Sequence, residues 1–213
     1  IEPNPELDDL EKRANRLRGA EMETIVAVGG GSVIDTAKVV NALLSMGDEG
    51  FSLRDHLETD GSEITGTGIP VIAVPTTAGT GSEVTPFATV WDSVRKRKYS
   101  FSSPGLFPAV ALLDPRLTIG LSRDGTVATG LDAISHAFEA IWNRNATPIT
   151  SMYATEALRI GIPTLERLAV DLTNLELRSE MLQASLLAGL AIGSTRTALA
   201  HSISYPIIMH YGV

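Results

Sequence analysis

The chain has 213 residues, with 17 Lys and Arg against 25 Asp and Glu, a net charge of −8 and no cysteine. Disulfides, thiolate metal sites and cysteine nucleophiles are therefore excluded, and the acidic balance argues against a nucleic-acid groove, which needs clustered Lys and Arg. The composition is ordinary for a globular protein, no apolar run nears the ~18 residues of a membrane span and no signal segment opens the chain, so a soluble cytoplasmic protein is expected.

Leu7, Leu10, Ala14 and Leu17 fall at helical spacing. Thr24 to Val28 is a short apolar run ending in three glycines, which suits a buried parallel strand. Ser32 is expected to open and cap the next helix, whose apolar face is Val33, Ile34, Ala37, Val40, Leu43 and Leu44. Pro70 to Val74 reads as a second buried strand. Phe87 to Trp91 and Lys98 to Phe101 flank the basic run Arg95-Lys96-Arg97-Lys98 and read as a hairpin around a solvated turn. Val110 to Leu113 reads as a strand stopped by Asp114-Pro115.

From Asp124 onward the pattern is helical: Thr126 to Trp142, Thr150 to Leu168, Glu176 to Ile192 and Thr195 to Tyr205. Thr147-Pro148 and Asn174 carry helix-start chemistry. The change of texture sets an expected boundary near residue 115, with an α/β domain over 1–115 and a helical domain over 116–213. The chain opens at Ile1 without Met and ends at Tyr211-Gly212-Val213 directly after an apolar stretch. It reads as an internal fragment, truncated at both ends.

Four features carry chemistry. Gly29-Gly30-Gly31-Ser32 lies between a strand and a helix. Glycines allow close backbone approach and the helix N-terminus offers N–H donors to an anion, although a tight turn needs no ligand. Pro75-Thr76-Thr77-Ala78-Gly79-Thr80-Gly81-Ser82-Glu83 concentrates hydroxyls and glycines after the next strand. It reads either as a polar loop or as a wrap for sugar and phosphate oxygens. Asp132 and His136 are four residues apart, hence on one helix face, and suit either a divalent cation or a simple hydrogen bond. His201 stands 65 residues later on another apolar helix, where a packing role is the ordinary alternative. His56 and His210 match no ligand spacing in the sequence and read as surface or packing residues.

In this order the motifs resemble the iron-containing (group III) alcohol dehydrogenases. The carrying residues are Gly29-Gly30-Gly31-Ser32 with Asp35 and Lys38, and the Pro75 to Glu83 loop. Asp114-Pro115 with Leu117-Thr118, Gly130-Leu131-Asp132-Ala133 through His136 and Glu139, and His201 complete the set. The resemblance implies a Rossmann-like dinucleotide-binding domain followed by an all-helical metal-binding domain, a dehydroquinate synthase-like architecture. It implies hydride transfer between NAD or NADP and a small aldehyde or primary alcohol, with Fe2+ or Zn2+ as metal.

By that resemblance Asp132, His136 and His201 are metal ligands, and a fourth is expected past Val213. Gly29, Gly30, Gly31 and Ser32 take the pyrophosphate; Thr76, Thr77, Thr80, Ser82 and Lys98 take the ribose and nicotinamide. A homodimer or higher homo-oligomer is expected. Two departures stand out. Tyr205 replaces a histidine common four residues after the last ligand and becomes a candidate for moving the proton. Arg196 replaces a small residue and becomes a candidate hook for an anionic aldehyde, of the phosphonoacetaldehyde or semialdehyde kind. An Arg paired with an acidic surface residue is the alternative. A lyase of the dehydroquinate synthase-like fold and a non-enzymatic nucleotide-binding module are the rival readings.

Overall fold

A computed structural model describes residues 4–46, 52–59 and 68–211. Its elements follow in the order α1 (Leu7–Leu17), β1 (Ile25–Gly29), α2 (Gly31–Ser45), α3 (Leu53–Glu58), β2 (Val71–Pro75), β3 (Phe87–Asp92), β4 (Arg97–Ser102) and β5 (Val110–Ala111), then α4 (Arg123–Trp142), α5 (Pro148–Leu168), α6 (Leu175–Thr195) and α7 (Leu199–Tyr211).

The strands β1, β2 and β5 form a parallel sheet in the order β1-β2-β5, with Ile25 opposite Val71 and Ile72 opposite Val110. Parallel neighbours need crossover connections, and α2 provides the one between β1 and β2. β3 and β4 pair antiparallel, with Val90 opposite Tyr99, as expected of the two segments that flank the basic run. Leu7, Leu10, Val39, Leu43, Val90 and Phe101 bury one core between α1, α2 and this hairpin. A second core, rich in alanine, lies between α4, α5 and α6 around Ala137, Ala157, Met181 and Ala188. Small side chains let these helices approach closely; a Cβ on Gly130 would lie 2.5 Å from Leu165.

The helix starts follow their caps. Thr147 and Thr150 form a reciprocal capping box before Pro148 opens α5, and Asn174 accepts from the Leu177 amide at the head of α6. Four sequence expectations need correction. Ser122 accepts from the Gly125 amide, so α4 starts at Arg123, before Thr126. Ser32 does not cap α2: the cap position is Gly30, with no side-chain bond, because the turn is already helical at Gly31. The strand expected over Val110 to Leu113 is only Val110–Ala111, since Asp114 caps a 3-10 turn over Pro115–Thr118. β1 is buried on one face only: Ala27 is enclosed, while Val26 and Val28 are 57% and 53% exposed on the edge of the described sheet. Among the described residues no helix is long and apolar enough to cross a membrane.

Candidate metal and dinucleotide site

The ends of β1 and β2 set the site. β1 runs into Gly29 and Gly30, and α2 starts at once, so its first N–H groups face outward without a side-chain cap. The loop after β2 is pressed against this turn. A Cβ on Gly30 would lie 3.3 Å from the Thr77 side chain, and one on Gly31 only 2.6 Å from Thr80. The loop is anchored to the helical domain at Gly81, whose φ is +62° and whose Cβ would lie 2.5 Å from the Gly189 Cα of α6.

Beneath the loop lies a buried polar layer. Ser82 Oγ donates to Asp35 Oδ1 at 2.5 Å, and the Thr89 amide donates to Asp35 Oδ2 at 2.8 Å. Lys38, fully buried, donates through Nζ to the Thr85 and Phe87 carbonyls at 2.9 and 3.0 Å. Burial pushes the Asp35 carboxyl above its ordinary range and the Lys38 amine down to about 8, while their mutual attraction opposes both shifts. This layer ties α2 to the start of the β3–β4 hairpin.

At the other end of the cleft, three side chains converge. Asp132 and His136 stand one turn apart on α4, and His201 enters from the first turn of α7. One ligand atom from each lies within 4.8 Å of the others. His136 Nε2 is 3.6 Å and His201 Nε2 is 3.3 Å from Asp132 Oδ1. The two imidazoles stack with centroids 4.6 Å apart. Each is held from behind. His136 Nδ1 sits 3.3 Å from the Gly79 carbonyl, and His201 Nδ1 sits 2.5 Å from Glu139 Oε1. A carbonyl can only accept, so the proton of neutral His136 is on Nδ1 and the Nε2 lone pair faces the cluster.

Burial pushes His136 below its usual pKa, toward the neutral form a metal ligand requires. At Asp132 burial works against the charge, but His136, His201 and Lys98 outweigh it and hold the carboxyl below its ordinary range. Two imidazole nitrogens and one ionised carboxylate form a donor set suited to Fe2+ or Zn2+.

The cluster and the glycine turn share one cleft of about 490 Å3, lined at one end by Gly31, Ser32 and Thr80 and at the other by Asp132, His136 and His201. Of the other residues singled out from sequence, Ser82, Lys98, Arg196 and Tyr205 also line it; Gly29, Gly30, Thr76 and Thr77, expected to touch the cofactor, do not. Lys98 is not part of a solvated turn. Its Nζ lies 3.6 Å from the centroid of the Tyr205 ring and 5.3 Å from that of Trp91, and burial lowers it to about 8 against the pull of Asp132 and Asp35. Arg95, by contrast, pairs with Glu58 at the surface.

The helix expected from Thr195 starts only at Leu199, because α6 runs through Thr195 and the chain turns at Arg196, with φ +66° and ψ 175°. That turn brings Arg196 to the cleft wall, which a continuous helix would not do. Two groups that contact the candidate ligands are not among the expected site residues, the Gly79 carbonyl and Glu139. The second carried a signal: Asp132, His136 and Glu139 follow the i, i+4, i+7 spacing of one helix face. Gly212 and Val213, and the fourth ligand expected beyond them, lie outside the described residues, as does the side chain of His210.

Residues 1–115 match the family model of iron-containing alcohol dehydrogenase, and residues 126–213 match that of the C-terminal part of the same family. The chain belongs to the iron-containing alcohol dehydrogenase family. It is 35% identical to a phosphonoacetaldehyde reductase of Streptomyces viridochromogenes over 97% of its own length and 53% of the relative's. It is 36% identical to a choline dehydrogenase of Bacillus subtilis over 96% of the chain and 50% of that protein.

Among solved structures, sulfoacetaldehyde reductase from Bifidobacterium kashiwanohense, in complex with NAD+, superposes with a TM-score of 0.92 at 34% identity, covering all of this chain and 56% of that one. The chain thus spans about half the length of the curated relatives it matches. The fold expected from sequence, a Rossmann-like part followed by a helical part, is the fold of these neighbours.

Proposed function

We propose that this chain carries the dinucleotide turn and most of the metal site of an NAD(P)-dependent oxidoreductase acting on a small aldehyde or alcohol that bears an anionic group. The observation that carries the reading is the single cleft joining the start of α2 at Gly31 and Ser32, which has no side-chain cap, to the convergent donors of Asp132, His136 and His201. The two reductases noted above act, by name, on a phosphono- or sulfo-substituted aldehyde, and the three proteins named are dehydrogenases or reductases, which favours hydride transfer over the lyase reading.

In this reading Asp132, His136 and His201 hold the metal, which when bound supplies a Lewis acid for the substrate oxygen, and NAD(P)H supplies the hydride. The chain's residues do the rest. The Gly30–Ser32 turn receives the pyrophosphate on the N–H groups of α2. Thr80 stands beside it with a hydroxyl for the cofactor, while Ser82 positions Asp35. Lys98 places positive charge between the two ends of the cleft. The hydroxyl of Tyr205, which lines the cleft with Thr197, donates the proton that completes reduction and accepts it in oxidation.

Arg196 sets the charge preference. No hydrogen bond or ion pair engages its guanidinium among the described residues, yet its backbone is fixed: its amide donates to the Ile192 carbonyl at 2.7 Å, and its carbonyl accepts from Asn143 Nδ2 at 3.2 Å and Thr195 Oγ1 at 3.0 Å. A cation held at the cleft wall matches a carboxylate, phosphonate or sulfonate and opposes a cationic substrate such as choline. The test compares anionic and neutral aldehydes of equal length in the intact protein and in Arg196→Ala. The anionic aldehyde should be preferred, and the variant should lose that preference by about 10–100-fold, the worth of ~1.5–3 kcal/mol of charged hydrogen bonding. Equal losses on both aldehydes would remove Arg196 from substrate choice.

A further inference from the structure

Glu139 is the most enclosed charged side chain near the cleft, with no exposed surface, yet it does not line it. It sits on α4 one turn beyond His136. Apart from a long 3.5 Å bond from the Ser135 hydroxyl of its own helix, its contacts go to α7 and the residue before it. Its Oε2 accepts from the Ala198 amide, and its Oε1 accepts from the His201 amide at 3.2 Å and lies 2.5 Å from His201 Nδ1. A helix leaves its first amides without internal partners. Here the carboxylate of a different helix satisfies two of them, at the cap position Ala198 and at His201. One side chain therefore seats the start of α7 and grips the imidazole that α7 delivers.

We infer that Glu139 is a positioning residue that fixes His201 as the Nδ1–H tautomer, with Nε2 turned to Asp132, and that it couples formation of the first turn of α7 to assembly of the metal site. The inference rests on the metal-site reading above. The chemistry leaves little choice. Both oxygens of Glu139 already accept from backbone amides, so the carboxyl acts as an acceptor throughout and the 2.5 Å contact with Nδ1 takes its hydrogen from the imidazole. The two backbone amides facing the same carboxylate also need acceptors. A neutral amide at this position fails in either orientation. With its oxygen toward His201, its NH2 faces the Ala198 N–H. With its NH2 toward His201, it opposes the His201 N–H and donates to Nδ1, which moves the imidazole hydrogen to Nε2 and blocks the ligand atom.

The test uses the intact protein loaded with Zn2+, with Glu139→Gln as the variant and three readouts. Zinc affinity should fall about 10–100-fold, as for other partners of ligating histidines. Long-range 1H–15N spectra should show a slowly exchanging His201 Nδ1–H in the parent that is lost or shifted to Nε2–H in the variant. Hydrogen exchange at the Ala198 and His201 amides should accelerate, with the amides of α5 and α6 unchanged.

A His201 carrying its hydrogen on Nε2 in the zinc-loaded parent would overturn the inference without any variant. So would unchanged zinc affinity in Glu139→Gln, or an affinity loss matched by exchange throughout α5 and α6, which would be general destabilisation. Asp132→Asn serves as the reference: if it too keeps full zinc affinity, the metal-site reading itself fails, and if it alone loses zinc, only the role of Glu139 does.

Discussion

His136→Ala should abolish stoichiometric metal binding while leaving the fold in place. The side chain is enclosed beside the Gly79 loop, and its Nε2 is one of three donors that meet within 4.8 Å. Four-ligand structural zinc sites in small peptides gain about 10–16 kcal/mol, so on that scale one ligand is worth roughly 3 kcal/mol, a hundredfold or more in affinity. The cavity left by the imidazole adds a cost in stability, but α4 keeps its alanine face against α5 and α6, where Ala133, Ala137 and Ala140 are fully packed. The measurement is metal content after gel filtration together with a thermal melt. Retention of one metal per chain, with normal turnover, would remove His136 from the site.

Gly81→Ala should unfold the contact between the loop and α6. Two terms act together. The residue sits at φ +62°, where a Cβ costs about 1–3 kcal/mol. The same Cβ would stand 2.5 Å from the Gly189 Cα, a backbone atom of a packed helix that cannot step aside, and forced overpacking adds about 1–3 kcal/mol. For a domain of this size each kcal/mol shifts the melting temperature by about 2–4 °C, so a fall of roughly 10 °C is expected, with weakened dinucleotide binding because Thr80 and Ser82 flank the glycine. Gly19→Ala separates the terms: φ is +77° there but nothing lies within 4 Å, so only the backbone cost remains. Equal melting temperatures for the two variants would mean that the Gly81–Gly189 approach is not a close one.

What could be read from sequence follows the range of the forces involved. Helical and strand periodicity report local burial, so α1, the hairpin and the four later helices were legible, and Thr147 and Asn174 announced their caps. The Asp132–His136 pair was legible because an i, i+4 step fixes a shared helix face without any knowledge of the fold. His201 was placed beside it only through resemblance, since 65 intervening residues say nothing about proximity. Glu139 stands on the same face and belongs to the same motif, but the sequence gives it no role, because its contacts are with α7, an element the sequence does not orient. Arg196 shows the reverse case. A strained φ of +66° at a non-glycine residue is invisible in a residue pattern that reads as continuous helix. Likewise Ser32 has the chemistry of a cap, but helix α2 starts one residue earlier, and a cap is decided by backbone geometry.

The central claim is that one divalent cation, held by Asp132, His136 and His201 beside the dinucleotide, is required for hydride transfer. The most direct measurement is aldehyde-dependent NAD(P)H oxidation by the intact protein before chelation, after chelation and gel filtration, and after adding back Fe2+ or Zn2+. The account predicts turnover in the first sample, loss of at least about 99% of it in the second, given the several kcal/mol a Lewis acid contributes, and recovery with stoichiometric metal in the third. Undiminished oxidation in a chelated sample verified to be metal-free would contradict it.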